Sequence, residues 1–296
     1  MSGNRPPVAQ DHAGFQFVDI VAGRRILTGK LYLSTDKPDL AVVVHAATGV
    51  TQDYYEPFAR WLSAQLNAAV LTYDYRETGL SRGAEPVQRL QARLSDWGIH
   101  DQNGALNHLC ERFPNLPVWV IGHSLGGLFL RWHDNAHRVS RLLTVASGPA
   151  HYLSHPVSSW PSVFWFWFAG GPALTGTFGY LPGRSSGLGA DLPAPAFWQW
   201  RRWCTSRGFY EIDWGKAFGN PGPVPEGLQL NMFSFSDDWM IPPKSVSRLP
   251  RYYPGVETRH STLSPHDFGL RKLGHVGLFA RKNAVAWPAL VDPATG

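Results

Sequence analysis

The sequence has little cysteine, a small net charge and no long uninterrupted apolar run. Its two cysteines, Cys110 and Cys204, cannot form a disulfide framework, which favours a reducing compartment such as the cytoplasm. The net charge is only +5 and no run of Lys or Arg concentrates it, so a nucleic-acid-binding protein is not indicated. The apolar run Val163–Ala169 is far shorter than the roughly 20 residues that span a bilayer, and no transmembrane segment is expected.

Signals for export and for bound cofactors are also missing. Residues 1–7 contain no apolar h-region, so no secretory signal is predicted. The chain has no G-x-x-x-x-G-K-[ST] motif and no G-x-G-x-x-G that opens a βαβ unit, so no nucleotide cofactor is expected. His133 and His137 have the spacing of a zinc-binding H-E-x-x-H motif, but Asp134 replaces the required Glu. We interpret these histidines as polar residues on the exposed face of a helix, and we predict no metal site.

Strand patterns alternate with helix patterns along the chain. Phe15–Val21 and Ile26–Leu33 look like an antiparallel pair, whereas Leu40–His45 is a continuous apolar run that is typical of a strand buried on both faces. Phe58, Trp61 and Leu62 then recur at helical spacing. This alternation predicts an α/β protein with a doubly wound, mostly parallel sheet in one domain.

The most informative segment is Gly122-His123-Ser124-Leu125-Gly126-Gly127. It follows the apolar run Val118–Ile121 and precedes Leu128–Trp132, which we interpret as a helix. A strand, a G-x-S-x-G turn and a helix form a nucleophile elbow, in which small residues let the strand and helix pass closely and expose the serine hydroxyl. An inert serine in a turn is the alternative, and the residues downstream decide against it.

A nucleophilic serine needs a histidine base and a carboxylate, which follow in the order Ser, Asp, His in folds with this elbow. The strand pattern Leu228–Phe235 leads into two adjacent acids, and we favour Asp238 over Asp237 because it fits a D-x-x-[IV]-P pattern. His275 lies on a glycine-flanked loop and is favoured over His266, for which we expect a surface or capping role.

The chain resembles the α/β-hydrolase superfamily, and within it the predicted bacterial serine hydrolases that carry an A-T-G-V-x-Q-x-Y-Y segment. The resemblance is carried by the segments Ala47–Tyr55, Asp74–Ser81, the elbow and Gly274–Phe279. It departs from the family at Glu77, where glycine is usual. The resemblance implies an α/β-hydrolase fold and hydrolase class, and it implies no particular substrate.

An oxyanion hole needs two backbone N–H groups that point to the developing negative charge. We expect one from Leu125, the residue after the nucleophile, and the other from Ala47 in the loop after the third strand. His45 in the same loop is interpreted as a brace for the loop rather than a catalytic group.

The composition changes at Gly148-Pro149, after which the chain is rich in Trp, Phe, Gly and Pro as far as about Pro225. We therefore predict a hydrolase core formed by residues 1–149 and 221–296, and an inserted aromatic cap at 150–220. Two interpretations of the cap aromatics stay open: they form the cap's own core, or they line an apolar acyl pocket or contact lipid. The residues predicted to line the pocket are Trp160, Phe164, Trp167, Trp198 and Trp203.

These observations predict a serine hydrolase that cleaves carboxylic esters or thioesters of a small apolar acyl substrate, without a cofactor. Acyl transfer and peptide cleavage by the same triad are alternatives, and so is a non-catalytic binding protein, because a fold does not imply a function. A homodimer is one assembly state that the sequence leaves open.

Overall fold

A computed structural model describes residues 14–291, so the predicted absence of a signal in residues 1–7 lies outside the described residues. Within this part of the chain, a large mixed sheet has the strand order β1-β2-β4-β3-β5-β6-β9-β10. The strands are β1 (Gln16–Ala22), β2 (Arg25–Tyr32), β3 (Leu40–His45), β4 (Ala68–Tyr73), β5 (Val118–His123), β6 (Val139–Val145), β7 (Tyr180–Leu181), β8 (Leu192–Pro193), β9 (Gln229–Phe235) and β10 (Glu257–Leu263).

The sheet is mostly parallel, as the alternation of apolar runs and helix patterns predicts. Strand β2 runs antiparallel to β1 and β4, and the neighbours from β4 to β10 are all parallel. Every residue of β3 and of β4 is buried, because helices pack on the sheet and leave these strands no solvent-facing side. β7 and β8 form a separate two-stranded ribbon.

Helices connect the strands and cover the sheet. The α-helices are α1 (Gln52–Leu66), α2 (Leu94–Asp96), α3 (Gln102–Arg112), α4 (Trp160–Trp165), α5 (Gly171–Phe178), α6 (Gly183–Ser186), α7 (Ala194–Cys204) and α8 (Pro243–Val246). A π-helical turn at Trp97–Asp101 joins α2 to α3, and another at Phe166–Gly170 joins α4 to α5. None of the helices in residues 14–291 has both the length and the hydropathy of a membrane span.

Short 3-10 turns complete the connections, and one group of them corrects a prediction. They lie at Gly79–Ser81, Val87–Arg89, Ser124–Gly127, Leu130–Trp132, Ala136–Arg138, Tyr152–Ser154, Val157–Ser159, Phe209–Asp213, Leu249–Tyr252, Pro265–Phe268, Gly277–Phe279 and Arg281–Leu290. The regular helix predicted over residues 128–132 is therefore wrong. Leu128, Phe129 and Leu130 are consecutive and all buried, which a helix that packs by one face does not allow.

The segment between β6 and β9 contains α4 to α7 and the small ribbon. A buried carboxylate, Asp213, helps to hold it together by accepting hydrogen bonds from Trp203 Nε1 (2.7 Å) and from the Arg202 guanidinium. Gln199 of α7 anchors the segment to the core, because its amide accepts a hydrogen bond from the Ser95 N–H and donates one to Ser95 Oγ. The boundaries at 150 and 220 stay a prediction.

The turn that departs from the family pattern adopts a conformation that glycine favours. Glu77 has φ +63°, in the left-handed region. Its carboxylate accepts hydrogen bonds from the N–H groups of Gln91 (2.9 Å) and Ala92 (2.7 Å), and Arg25 lies 3.6 Å away. The Glu77 side chain therefore forms hydrogen bonds to the loop at residues 91–92, which a glycine at this position could not form.

Candidate active site

Ser124 lies at the sharp turn between β5 and the 3-10 turn at Ser124–Gly127, with φ +53°. The glycines on each side are required by close backbone contact. A Cβ at Gly122 would overlap Gly127, and a Cβ at Gly126 would overlap the carbonyl of His45. The Ser147 hydroxyl donates a 2.6 Å hydrogen bond to the Ser124 carbonyl and so fixes the strained residue. This is the elbow geometry that the G-x-S-x-G pattern predicts.

The structure brings Ser124, His275 and Asp238 together in one hydrogen-bonded series. Ser124 Oγ lies 3.0 Å from His275 Nε2, and His275 Nδ1 lies 2.8 Å from Asp238 Oδ2. The second oxygen of Asp238 accepts hydrogen bonds from the N–H groups of Met240 and Ile241, so the buried carboxylate is fully oriented. The arrangement suits a serine nucleophile, a histidine base and a carboxylate that fixes the histidine tautomer.

The two residues that competed for these positions lie elsewhere. Both Asp237 oxygens accept hydrogen bonds, from the N–H groups of Leu273 and Gly274 at 2.9 Å each. Asp237 therefore braces the loop that carries His275 and does not touch its ring. His266 is exposed in a 3-10 turn that Ser264 and Asp267 cap.

The structure corrects the predicted oxyanion hole in one position. Leu125 lines the cavity beside Ser124, as expected for one donor. The N–H of Ala47, by contrast, already donates a 2.9 Å hydrogen bond to the hydroxyl of Tyr55, and Ala47 is buried away from the cavity. The next residue, Thr48, lines the cavity instead. The sequence analysis did not identify Thr48, because no sequence pattern shows which of two adjacent N–H groups donates its hydrogen bond to a tyrosine hydroxyl.

Tyr55 and His123 form a directed chain of hydrogen bonds behind the site. The Ala47 N–H donates to Tyr55 Oη, and Tyr55 Oη lies 2.7 Å from His123 Nδ1. His123 Nε2 lies 2.9 Å from the carbonyl of His275. Because a carbonyl only accepts, Nε2 carries the proton of His123, and Tyr55 must donate to Nδ1. Burial lowers the pKa of His123 to about 3, so the ring stays neutral.

The chain of hydrogen bonds joins the three loops of the site. It starts in the loop after β3, passes through helix α1 and the elbow, and ends on the backbone of the catalytic histidine candidate. The neighbouring Tyr54 hydroxyl adds a 2.6 Å hydrogen bond to the carbonyl of Val276. Tyr54 and Tyr55 therefore hold backbone groups of the site in place. Neither hydroxyl has a hydrogen bond to Ser124 Oγ or to the His275 ring. His45 acts as a brace too, since it is fully buried and its Nδ1 lies 2.7 Å from the Tyr73 hydroxyl.

Ser124 opens into an apolar cavity of about 740 Å³ between the sheet and the segment that follows β6. Two of the predicted pocket residues, Trp167 and Trp203, line it. Sequence reasoning missed further lining residues, which belong to the helices and to the loop after Asp238: Trp165, Phe166, Trp200, Phe209, Trp239 and Met240. Trp165, Phe166 and Trp167 are consecutive and all line the cavity, so helical spacing alone does not identify them.

Three of the predicted pocket residues do not line this cavity. Phe164 is 39% exposed and packs instead on Phe168, at 5.7 Å between ring centroids. Trp198 lies two positions from Trp200, which turns it by about 200° to the exposed side of α7. Trp160 donates a hydrogen bond from Nε1 to the carbonyl of His155 and lines a neighbouring hollow.

The histidine pair that resembles a zinc motif serves other purposes. His133 is buried and lies outside the 3-10 turns, with Nε2 2.9 Å from the carbonyl of Gly98, so our interpretation of it as an exposed helix residue is wrong. His137 is exposed in the turn Ala136–Arg138. Residues 14–291 contain no group of three or more His, Cys, Asp or Glu side chains with the spacing of a metal site.

Comparison with known proteins agrees with this architecture. The family described as "Serine aminopeptidase, S33" matches residues 36–178, slightly less than half of the chain. No curated protein sequence is significantly similar to the chain.

Solved structures that resemble the chain cover nearly all of it. A soluble variant of monoglyceride lipase from Saccharomyces cerevisiae is 12% identical, with a TM-score of 0.61 over 97% of this chain and 98% of the lipase. Alpha/beta hydrolase domain-containing protein 10 from mouse is 12% identical, with a TM-score of 0.55 over 90% and 93% of the two chains. An esterase from Exiguobacterium antarcticum is 14% identical, with a TM-score of 0.53 over 93% and 97%.

These similarities, the strand order and the elbow have one explanation in common. The chain has the α/β-hydrolase fold.

Proposed function

We propose that the protein is a serine hydrolase that cleaves carboxylic esters with an apolar acyl group. One observation carries the proposal: Asp238, His275 and Ser124 are linked by hydrogen bonds of 2.8 and 3.0 Å, and the serine opens into an apolar cavity. The family match and the fold support a hydrolase in general, and the ester preference rests on this site alone.

The reaction uses the three side chains in fixed roles. His275 Nε2 takes the proton of Ser124 as Oγ attacks the acyl carbon, and the carbonyl oxygen becomes an oxyanion. Collapse of this intermediate expels the alcohol, which takes the proton back from His275 and leaves an acyl-enzyme. Water, deprotonated by His275, then releases the acid. Asp238 holds the tautomer with the proton on Nδ1 and stabilises the charged imidazole.

We assign the oxyanion hole to the N–H groups of Leu125 and Thr48. Both residues line the cavity beside Ser124, and the Ala47 N–H is held by Tyr55. A backbone donor of this kind typically lowers the barrier by about 3–4 kcal/mol. Since both donors are backbone groups, side-chain substitution at Thr48 tests packing more than hydrogen bonding.

Residues 150–220 serve as a cap over Ser124 in this proposal, and residues 1–149 and 221–296 form the core. Among the residues that line the cavity in the described part of the chain, none is Asp or Glu. An aminopeptidase must bind a substrate ammonium group, and a buried ammonium needs a carboxylate partner. The lining therefore favours an apolar acyl ester or thioester over a peptide with a free N-terminus.

The test is a series of p-nitrophenyl esters from acetyl upward, with a fluorophosphonate probe for the nucleophile. Ser124→Ala is expected to abolish labelling and to lower kcat by roughly 10⁴- to 10⁶-fold while the circular dichroism spectrum is unchanged. In the wild type, kcat/KM is expected to rise by up to about fourfold per added methylene until the cavity is full.

Other outcomes separate the alternatives. Labelling of Ser124 with faster cleavage of aminoacyl amides than of esters would identify a peptidase, and accumulation of a new ester with added alcohol would identify an acyltransferase. A protein that neither labels nor turns over any acyl substrate is the non-catalytic alternative. Preference for acetyl over all longer esters would contradict an extended acyl site.

A further inference from the structure

A group of exposed apolar side chains lies on the outer side of the segment after β6. We call it the aromatic face, defined by Leu153, Val157, Phe164, Trp165 and Phe168, whose exposed fractions range from 39% to 71%. Between Arg141 and Arg184 the sequence contains no Asp, Glu, Lys or Arg. A charged group from another segment adjoins the face: the Arg201 guanidinium lies 5.6 Å from the centroid of the Phe168 ring. Contiguous apolar surface of this kind marks an interaction site on a soluble domain.

The aromatic face is distinct from the core of the same segment. Val163 and Trp167 point inward from the continuous helical stretch at 160–178 and are buried, whereas Phe164 and Phe168 lie on its outer side and pack on each other at 5.7 Å. Tyr152 contacts both outer rings at 5.3 Å. A helix that is apolar on both sides needs a second apolar environment.

Cationic side chains adjoin the aromatic face. A hollow of about 560 Å³, the basic hollow, is lined by Arg207, Lys244 and Arg248 together with Leu153 and Val157 of the aromatic face. The three cations are exposed, and no described carboxylate lies within ion-pair distance of them. No acidic residue of the described chain lines the hollow.

Both surfaces share residues with the lining of the cavity beside Ser124. Trp165 belongs to the aromatic face and also lines the cavity, and His155 lines both the cavity and the basic hollow. Trp239, which lies next to Asp238 in the sequence, lines the cavity and is 46% exposed. A surface bound to the aromatic face therefore lies next to residues that line the cavity of Ser124.

We propose that the aromatic face and the basic hollow dock the protein onto the surface of an anionic phospholipid bilayer. Aromatic side chains enter the boundary between headgroups and acyl chains, and the cations pair with lipid phosphates. Each cation near an anionic membrane raises the partition coefficient by about fivefold, so the three together contribute roughly 100-fold. Docking itself does not depend on the proposed function. The identity of the substrate does: if the protein is an esterase, the substrate that enters the cavity is an apolar ester from the membrane.

Vesicle flotation with the Ser124→Ala variant tests docking without turnover. The variant is expected to bind vesicles of phosphatidylcholine with phosphatidylglycerol and to bind pure phosphatidylcholine roughly 100-fold more weakly. Val157→Asp should lower binding at least about tenfold. The matched control is Val21→Asp in β1, because Val21 and Val157 are 69% and 71% exposed, and it should leave binding unchanged.

The charge contribution has its own pair of variants. Replacing Arg207, Lys244 and Arg248 by Gln should remove the preference for anionic vesicles, and replacing the exposed Arg281 and Lys282 by Gln should not. Docking is refuted if the wild type binds neither kind of vesicle, or if Val21→Asp weakens binding as much as Val157→Asp. It is also refuted if Val157→Asp turns a dimer into a monomer in ultracentrifugation without changing vesicle binding, since the face then joins two copies. Esterase activity without vesicle binding would reject docking and leave the proposed function standing.

Discussion

Removal of the Tyr55 hydroxyl by Tyr55→Phe should destabilise the fold and impair the site together. The hydroxyl accepts from the Ala47 N–H and donates to His123 Nδ1, and both partners are buried. Each buried polar group left without a partner costs about 1–3 kcal/mol, so the free energy of unfolding should fall by roughly 2–6 kcal/mol. Since the same bonds position the loop after β3 and the backbone of His275, kcat should fall more than KM rises.

The assay for Tyr55→Phe is urea denaturation followed by circular dichroism, with ester kinetics on the folded variant. Tyr253→Phe is the matched control, because Tyr253 is also buried and its hydroxyl has no hydrogen-bond partner among the described residues. The control should change the free energy of unfolding by less than about 1 kcal/mol. Equal effects of the two substitutions, or a Tyr55→Phe variant as stable as the wild type, would refute the reasoning.

Three further predictions concern acids and buried histidines. Asp238→Asn should lower kcat by roughly 10³- to 10⁴-fold, measured by steady-state ester kinetics, because the tautomer of the base is lost. Asp237→Asn should have a much smaller effect on kcat and should instead lower the free energy of unfolding, and the reverse ranking of the two variants would contradict the assignment. Burial lowers the pKa of His123 to about 3 and of His133 to about 4, below their ordinary 6.5, so the unfolded chain takes up protons first as pH falls. The contribution of these neutral histidines to the free energy of unfolding is therefore fully present above about pH 6.5 and is lost below it. The free energy of unfolding should fall by about 1.4 kcal/mol per histidine between pH 7.5 and 5.5. Equal urea midpoints at these two pH values would contradict this prediction.

The strands, and the three side chains that the structure links by hydrogen bonds, could be predicted because they depend on local pattern. Strands β3 and β4 are continuous apolar runs, and such runs become central strands whatever packs on them. Ser124 is marked by glycines that a close backbone contact requires. The preference for Asp238 over Asp237 used the D-x-x-[IV]-P pattern, and the structure places Asp238 against His275.

Other features depend on packing that no local pattern records. The elbow is followed by 3-10 turns because Leu128, Phe129 and Leu130 are buried on several sides at once. The N–H of Ala47, the predicted oxyanion donor, is occupied by a tyrosine eight residues away, which is why we propose the N–H of Thr48 in its place. The aromatic residues between β6 and β9 were predicted as a group, but which of them line the cavity beside Ser124 depends on how the whole segment packs.

Glu77 has a consequence for how this chain can change by mutation. A left-handed residue other than glycine costs about 1–2 kcal/mol, whereas two hydrogen bonds from backbone N–H groups to a carboxylate contribute about 1.5–3 kcal/mol each. The glutamate is therefore favourable only while the loop at residues 91–92 presents its two N–H groups. Glu77→Gly would relax the backbone but leave both N–H groups without that partner. The two segments are thus energetically coupled, and a substitution that moves the loop at residues 91–92 would also make the left-handed conformation of Glu77 unfavourable.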